Sequence, residues 1–318
     1  MKTLFALLIS AWVLIACNKQ TYSLADESQS FNQEVKYNSK VDMVLMVDDS
    51  SSMSTYQNKL ADQMPAMVDS LNRKGLDYRI VVVTSNMQSG GSGGKFVGNP
   101  KILSKNTSNL SGLLVSRIKQ GNFGSDSERG LESIQKALTM ETGFLREDAI
   151  LAVVALSNED DHSPGSAIDY KNFFDTLKPH QQGWNGHVQG WVVNFIGLLD
   201  LNSPCSTSLD GQVKEPGLEW MALADASGGS KSSICEQTMV QTVANIEKRI
   251  LEAATDFLLE KKPKIETLVV KVNDAKIESS TTNGWEYIPS KNAIRFHGTA
   301  IPGPSAQISV DFTPAEAN

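Results

Sequence analysis

The chain has 318 residues, with 29 Lys and Arg against 36 Asp and Glu, a formal net charge of −7. That length admits one large domain or two, and the acidic balance, with no cluster of Lys or Arg to track phosphates, excludes nucleic acid as a natural partner. Four His, none in an HExxH or HxH arrangement, argue against a catalytic zinc.

At the N-terminus Lys2 precedes an apolar run from Leu4 to Ala16 that only Ser10 interrupts, and Cys17 follows. The run is too short to span a hydrocarbon core of roughly 30 Å, so residues 1–16 are expected to be a signal peptide. Leu14-Ile15-Ala16-Cys17 resembles the bacterial lipobox, which implies cleavage before Cys17 and acylation of that residue. Several acyl chains hold a protein to a membrane because each buried CH₂ contributes ~0.8 kcal/mol. The expected location is therefore the bacterial cell envelope. Asn18, where an Asp would signal retention, favours the outer over the inner membrane. Residues 17–39 are polar and read as a tether.

From residue 40 the pattern changes. Continuous apolar runs at 43–47, 80–83, 150–156 and 191–199 read as strands buried on both faces. Segments with helical spacing separate them, at 54–73, 109–119, 127–140 and 166–177, with a last helix at 236–253. Strands alternating with helices predict an α/β fold with a doubly wound, mostly parallel sheet, whose ligands sit at the strand C-terminal edge. After residue 256 short alternating segments punctuated by Asn273-Asp274, Asn283-Gly284 and a Pro-Gly-Pro turn predict a small all-β, sandwich-like module over 256–318.

Two clusters of acids and hydroxyls, 48–52 and 157–163, fall at strand ends. In Asp48-Asp49-Ser50-Ser51-Ser52 the alternating Asp48, Ser50 and Ser52 can present hard oxygen donors to one point, as a divalent cation requires. Ser50 to Ser52 also suit a helix N-cap, and both roles can coexist. Asp160-Asp161-His162 reads more simply as a solvated loop before a helix start. Ser89 to Lys95 only hints at a phosphate loop, because Ser89 replaces its first Gly and Phe96 its Ser or Thr. Cys205 and Cys235 remain once Cys17 is assigned to lipid, and in an oxidising envelope they are expected to pair.

Asp48 to Ser52 fits DxSxS and resembles the first loop of the metal-ion-dependent adhesion site in von Willebrand factor type A domains. Gly124-Ser125-Asp126-Ser127-Glu128-Arg129-Gly130-Leu131 resembles the second element, with Ser125 in place of the family's Thr. The third element, normally Asp, falls on Asn158, and Leu223 to Gly229 is similar to the late LAxxTGG turn. The resemblance covers 40–255. It implies Asp48, Ser50, Ser52 and Ser125 as ligands of Mg²⁺, or of Ca²⁺ or Mn²⁺, with Asn158 acting through water. Asp49, Asp160 and Asp161 would surround them, the last two able to make up the missing charge. By that resemblance the chain is no enzyme: it binds a protein partner whose Asp or Glu carboxylate completes the coordination sphere. The alternative is a structural or assembly lipoprotein with a vestigial site and metal-independent interactions.

Overall fold

The computed structural model describes residues 31–36, 40–124, 127–179, 181–183, 186–188, 190–203, 205, 215–254, 256–303 and 306–315. The expected signal peptide and Cys17 lie outside them. Strand β1 (Phe31–Lys36) comes first, then β2 (Lys40–Val47), α1 (Ser54–Ala61), α2 (Met64–Arg73), β3 (Asp77–Thr84), β4 (Leu103–Ser104), α3 (Leu110–Ile118) and α4 (Gly130–Met140). They are followed by β5 (Ile150–Ser157), α5 (Ala167–Leu177), the hairpin β6 (Gln181–Gly183) and β7 (Gly186–Val188), β8 (Trp191–Gly197), α6 (Leu218–Ser227), β9 (Lys231–Ser233) and α7 (Val240–Ala254). Strands β10 (Asp256–Leu258), β11 (Val269–Val272), β12 (Ala275–Ile277), β13 (Trp285–Ile288), β14 (Ala293–Phe296) and β15 (Gln307–Phe312) close the chain.

The central sheet has the order β4-β3-β2-β5-β8-β9 and is parallel except for the edge strand β4. Its inner strands carry apolar runs on both faces because each face meets its own core. Met43, Leu45 and Val47 of β2 pack with residues of α1, α2, α3 and α7, whereas Val44 and Met46 pack with residues of α4, α5 and α6. The fold is thus the doubly wound α/β architecture that the alternation predicts. The expected helix at 54–73 is two helices. Pro65 stands in the first turn of the second, lacks an N–H, and would clash with the carbonyl one turn back in a continuous helix. Helix α6 has little amphipathic signal, yet buries Trp220, Leu223 and Ala224. It ends on Gly228 at φ 67°, and a Cβ on Gly229 would come within 1.8 Å of the Val193 carbonyl. The Ser-Gly-Gly of 227–229 therefore serves a helix stop pressed against β8.

The C-terminal module is two antiparallel sheets, β1-β15-β11-β12 and β10-β14-β13, sharing a core of Phe257, Val270, Ile294, Phe296, Val310 and Phe312 among others. Asn273 and Asp274 adopt φ of 48° and 65° and make the two-residue turn between β11 and β12, as expected. Strand β1 corrects the reading of 17–39 as a tether throughout. Residues 31–36 pair with β15 from Phe31↔Phe312 to Lys36↔Gln307. A polar segment gains order here from a main-chain ladder on an edge that the chain's own C-terminus offers. Cys205 and Cys235 form the expected disulfide, with Cα atoms 5.3 Å apart.

Candidate functional site

Strand β2 lies between β3, which follows it in the chain, and β5, which comes after the winding reverses. The crevice beyond the C-terminal ends of β2 and β5 is the switch point at which such sheets take ligands. The 48–52 loop leaves β2 there and the 157–163 loop leaves β5. Asp48 N–H still donates to the Leu156 carbonyl at 3.0 Å, so the ladder holds the residue until its side chain enters the crevice.

Asp48 is fully buried. Its Oδ1 accepts the Ser50 N–H at 2.8 Å and its Oδ2 accepts the Ser157 hydroxyl at 2.9 Å. Burial pushes its carboxyl up to about 6, against the pull of these donors and with a further push from Glu159. Ser50 is 2% exposed, and its Oγ lies beside the Asp48 carboxylate without a well-aligned hydrogen bond. The Asn158 side-chain amide donates to Ser52 Oγ at 3.0 Å, tying the two loops together. Asp49 accepts the Ser85 hydroxyl at 3.4 Å and the Gly124 N–H, through its carbonyl, at 2.7 Å, and burial raises its carboxyl as well. A Cβ on Gly124 would sit 2.5 Å from that carbonyl, so glycine permits the approach. Ser125, expected as the second-loop ligand, lies outside the described residues.

Asp160 and Asp161 hold helix ends. Asp160 Oδ1 accepts the Glu219 N–H at 3.0 Å at the start of α6. Asp161 accepts the Leu131 N–H at 2.9 Å at the start of α4 and the Ser163 N–H at 3.0 Å, while Ser163 Oγ accepts the Glu132 N–H at 2.9 Å. Their negative charge is favourable beside helix N-termini, and burial keeps Asp161 above the ordinary carboxylate range. The compensating charge expected from this pair is spent on positioning the two helices.

Two residues at the site escaped the sequence reading. Gln57, buried on α1, donates its amide to the Asp48 and Gly121 carbonyls, both at 2.8 Å, and accepts the Gly121 N–H at 3.0 Å. Glu128 is 2% exposed, with no well-aligned donor on either carboxylate oxygen and the Glu159 carboxyl beside it. Burial first, then the charges of Asp48 and Glu159, push it up to about 9. A Gln in a helix and an acid two residues before one have no motif to betray them. Among the described residues, no three His, Cys, Asp or Glu side chains converge as an ion site, so hydroxyls must complete any donor set.

No protein-family model matches the chain, and no curated protein matches it. Among solved structures it is similar to the pilus adhesin SpaC from Lactobacillus rhamnosus GG, at 12% identity over 89% of this chain and 41% of that one, with a TM-score of 0.44. It is similar to proximal thread matrix protein 1 from the mussel byssus with a zinc-occupied MIDAS motif, at 13% identity over 72% of this chain and 51% of that one, TM-score 0.40. It is also similar to the ArnB paralog VWA2 from Sulfolobus acidocaldarius, at 12% identity over 91% of this chain and 63% of that one, TM-score 0.35. The chain thus spans less than two thirds of each of these structures. Likenesses so distant carry no function across.

Proposed function

We propose that this chain is a lipid-anchored envelope protein built on a von Willebrand factor type A domain, which binds a protein partner through a divalent cation. The observation that carries the reading is the pairing of Asp48 with the buried Ser50 Oγ, which makes no well-aligned hydrogen bond, at the switch-point crevice. A hydroxyl so placed beside a buried carboxylate is costly alone and fits a hard cation. Asp48, Ser50 and Ser52 would hold Mg²⁺, Ca²⁺ or Mn²⁺, with Ser125 as the second-loop ligand and Asn158 hydrogen-bonded behind Ser52. The cation supplies a positive point to which an Asp or Glu carboxylate of the partner binds. Phe123, 95% exposed beside the Gly124–Asp49 contact, adds an apolar surface next to that point.

The envelope location rests on the lipobox at 14–17 and the disulfide, which suits an oxidising compartment. The reading is tested by affinity capture from envelope extract with the full chain as bait. Capture in Mg²⁺, lost in EDTA and competed by free glutamate, is the expected result. Equal capture in EDTA sinks it and favours a metal-independent assembly lipoprotein, a reading that the neutral Asn158 supports.

A further inference from the structure

Three holds place Glu128 over the end of β2. Its carbonyl accepts the His162 N–H at 2.7 Å, and the Arg129 N–H donates to the Ser85 carbonyl at 3.1 Å. Gly130 then packs so closely that a Cβ would lie 2.8 Å from both Met46 and Trp220. Glu128 is thereby fixed between the loops that follow β3 and β5, the two neighbours of β2, with its side chain turned inward. The half-exposed His162 ring has its Nδ1 3.9 Å from Oε2, beyond hydrogen-bond distance.

A carboxyl group taken out of water beside another acid, Glu159, with no well-aligned donor on either oxygen, needs a positive partner. The Ser50 hydroxyl, also buried near Asp48, shows the same deficit. One cation between them satisfies both. We propose that Glu128 is itself a ligand of the divalent cation and supplies the negative charge that Asn158 lacks. The inference rests on the cation reading above and changes its consequence. Asp48 and Glu128 together neutralise a dication, so the site retains its ion before any partner arrives, and shape around Phe123 outweighs charge in selecting that partner.

The test is a Mn²⁺ titration of the full chain, with free ion followed by electron paramagnetic resonance, for wild type, Glu128→Gln, Asn158→Asp and the double variant. Circular-dichroism melts establish that each is folded. Glu128→Gln is expected to weaken Mn²⁺ binding at least about tenfold, and the double variant to return within about threefold of wild type, since the charge is moved rather than lost. Wild type that binds Mn²⁺ with Glu128→Gln within about twofold of it overturns this inference alone and assigns Glu128 to His162. Failure of Asn158→Asp to rescue overturns the relocation of charge. Wild type that binds no Mn²⁺ overturns the cation reading as well.

Discussion

Gln57 and Asp48 are joined where both are buried, the side-chain amide of one donating to the main-chain carbonyl of the other at 2.8 Å. The same amide group holds Gly121 by its carbonyl and its N–H, so one side chain fixes the first loop to the segment that leads to Gly124. Gln57→Ala leaves these main-chain groups unsatisfied. Urea unfolding is expected to show a loss of about 2–3 kcal/mol, together with weaker cation binding. A loss under about 0.5 kcal/mol would mean that water takes over the role.

Asp48→Asn separates stability from binding. The charged form of Asp48 is disfavoured by burial, and an amide of the same shape carries no charge to desolvate. The metal-free variant is expected to be more stable than wild type by about 1–2 kcal/mol in thermal melts while losing cation binding. A variant that is both less stable and still cation-binding contradicts the assignment.

Asp48 and Glu128, the two acids that burial raises most, give metal-free stability a definite slope with pH. Asp48 rises from 3.8 to about 6 and Glu128 from 4.5 to about 9, so between these limits the folded chain holds more protons than the unfolded one. Their contribution is complete below the unfolded values and is lost as pH rises through the folded ones. In EDTA, the melting temperature is expected to fall from about pH 4 to about pH 8, and less steeply in Asp48→Asn. Added Mg²⁺ reverses the fall most at the alkaline end, because binding displaces protons. A melting temperature that climbs through this range in EDTA would refute the electrostatic description.

Strand β1 predicts where the chain tolerates truncation. A chain beginning at residue 31 keeps the β1–β15 ladder, whereas one beginning at residue 40 exposes the edge of β15 from Gln307 to Phe312. Open edges recruit other chains. The shorter chain is expected to melt lower and to associate in analytical ultracentrifugation; equal behaviour of both would make β1 dispensable.

Much of this was legible in the sequence because the physics is periodic. The runs at 43–47, 80–83, 150–156 and 191–199 are continuous and largely apolar since both faces of the sheet are covered; the first three fall within β2, β3 and β5, and the last covers β8 and two residues beyond it. The DxSxS loop announced itself through alternation at a strand end. What stayed hidden has no local signature. β1 is a strand only because β15, more than 270 residues later, lies beside it. Glu128 is an ordinary helix-flanking acid until Ser85 and His162 fix it from opposite sides of β2. Asp160 and Asp161 were open to a reading as surrounding charge for the cation because the sequence does not show that the starts of α6 and α4 converge on them.

The central claim, that Asp48 and its neighbouring hydroxyls hold a divalent cation, is tested most directly by isothermal titration of Mg²⁺ into EDTA-stripped protein. Wild type is expected to give a saturable single-site isotherm, and Asp48→Ala only heats of dilution. Superimposable isotherms for the two proteins would contradict the claim.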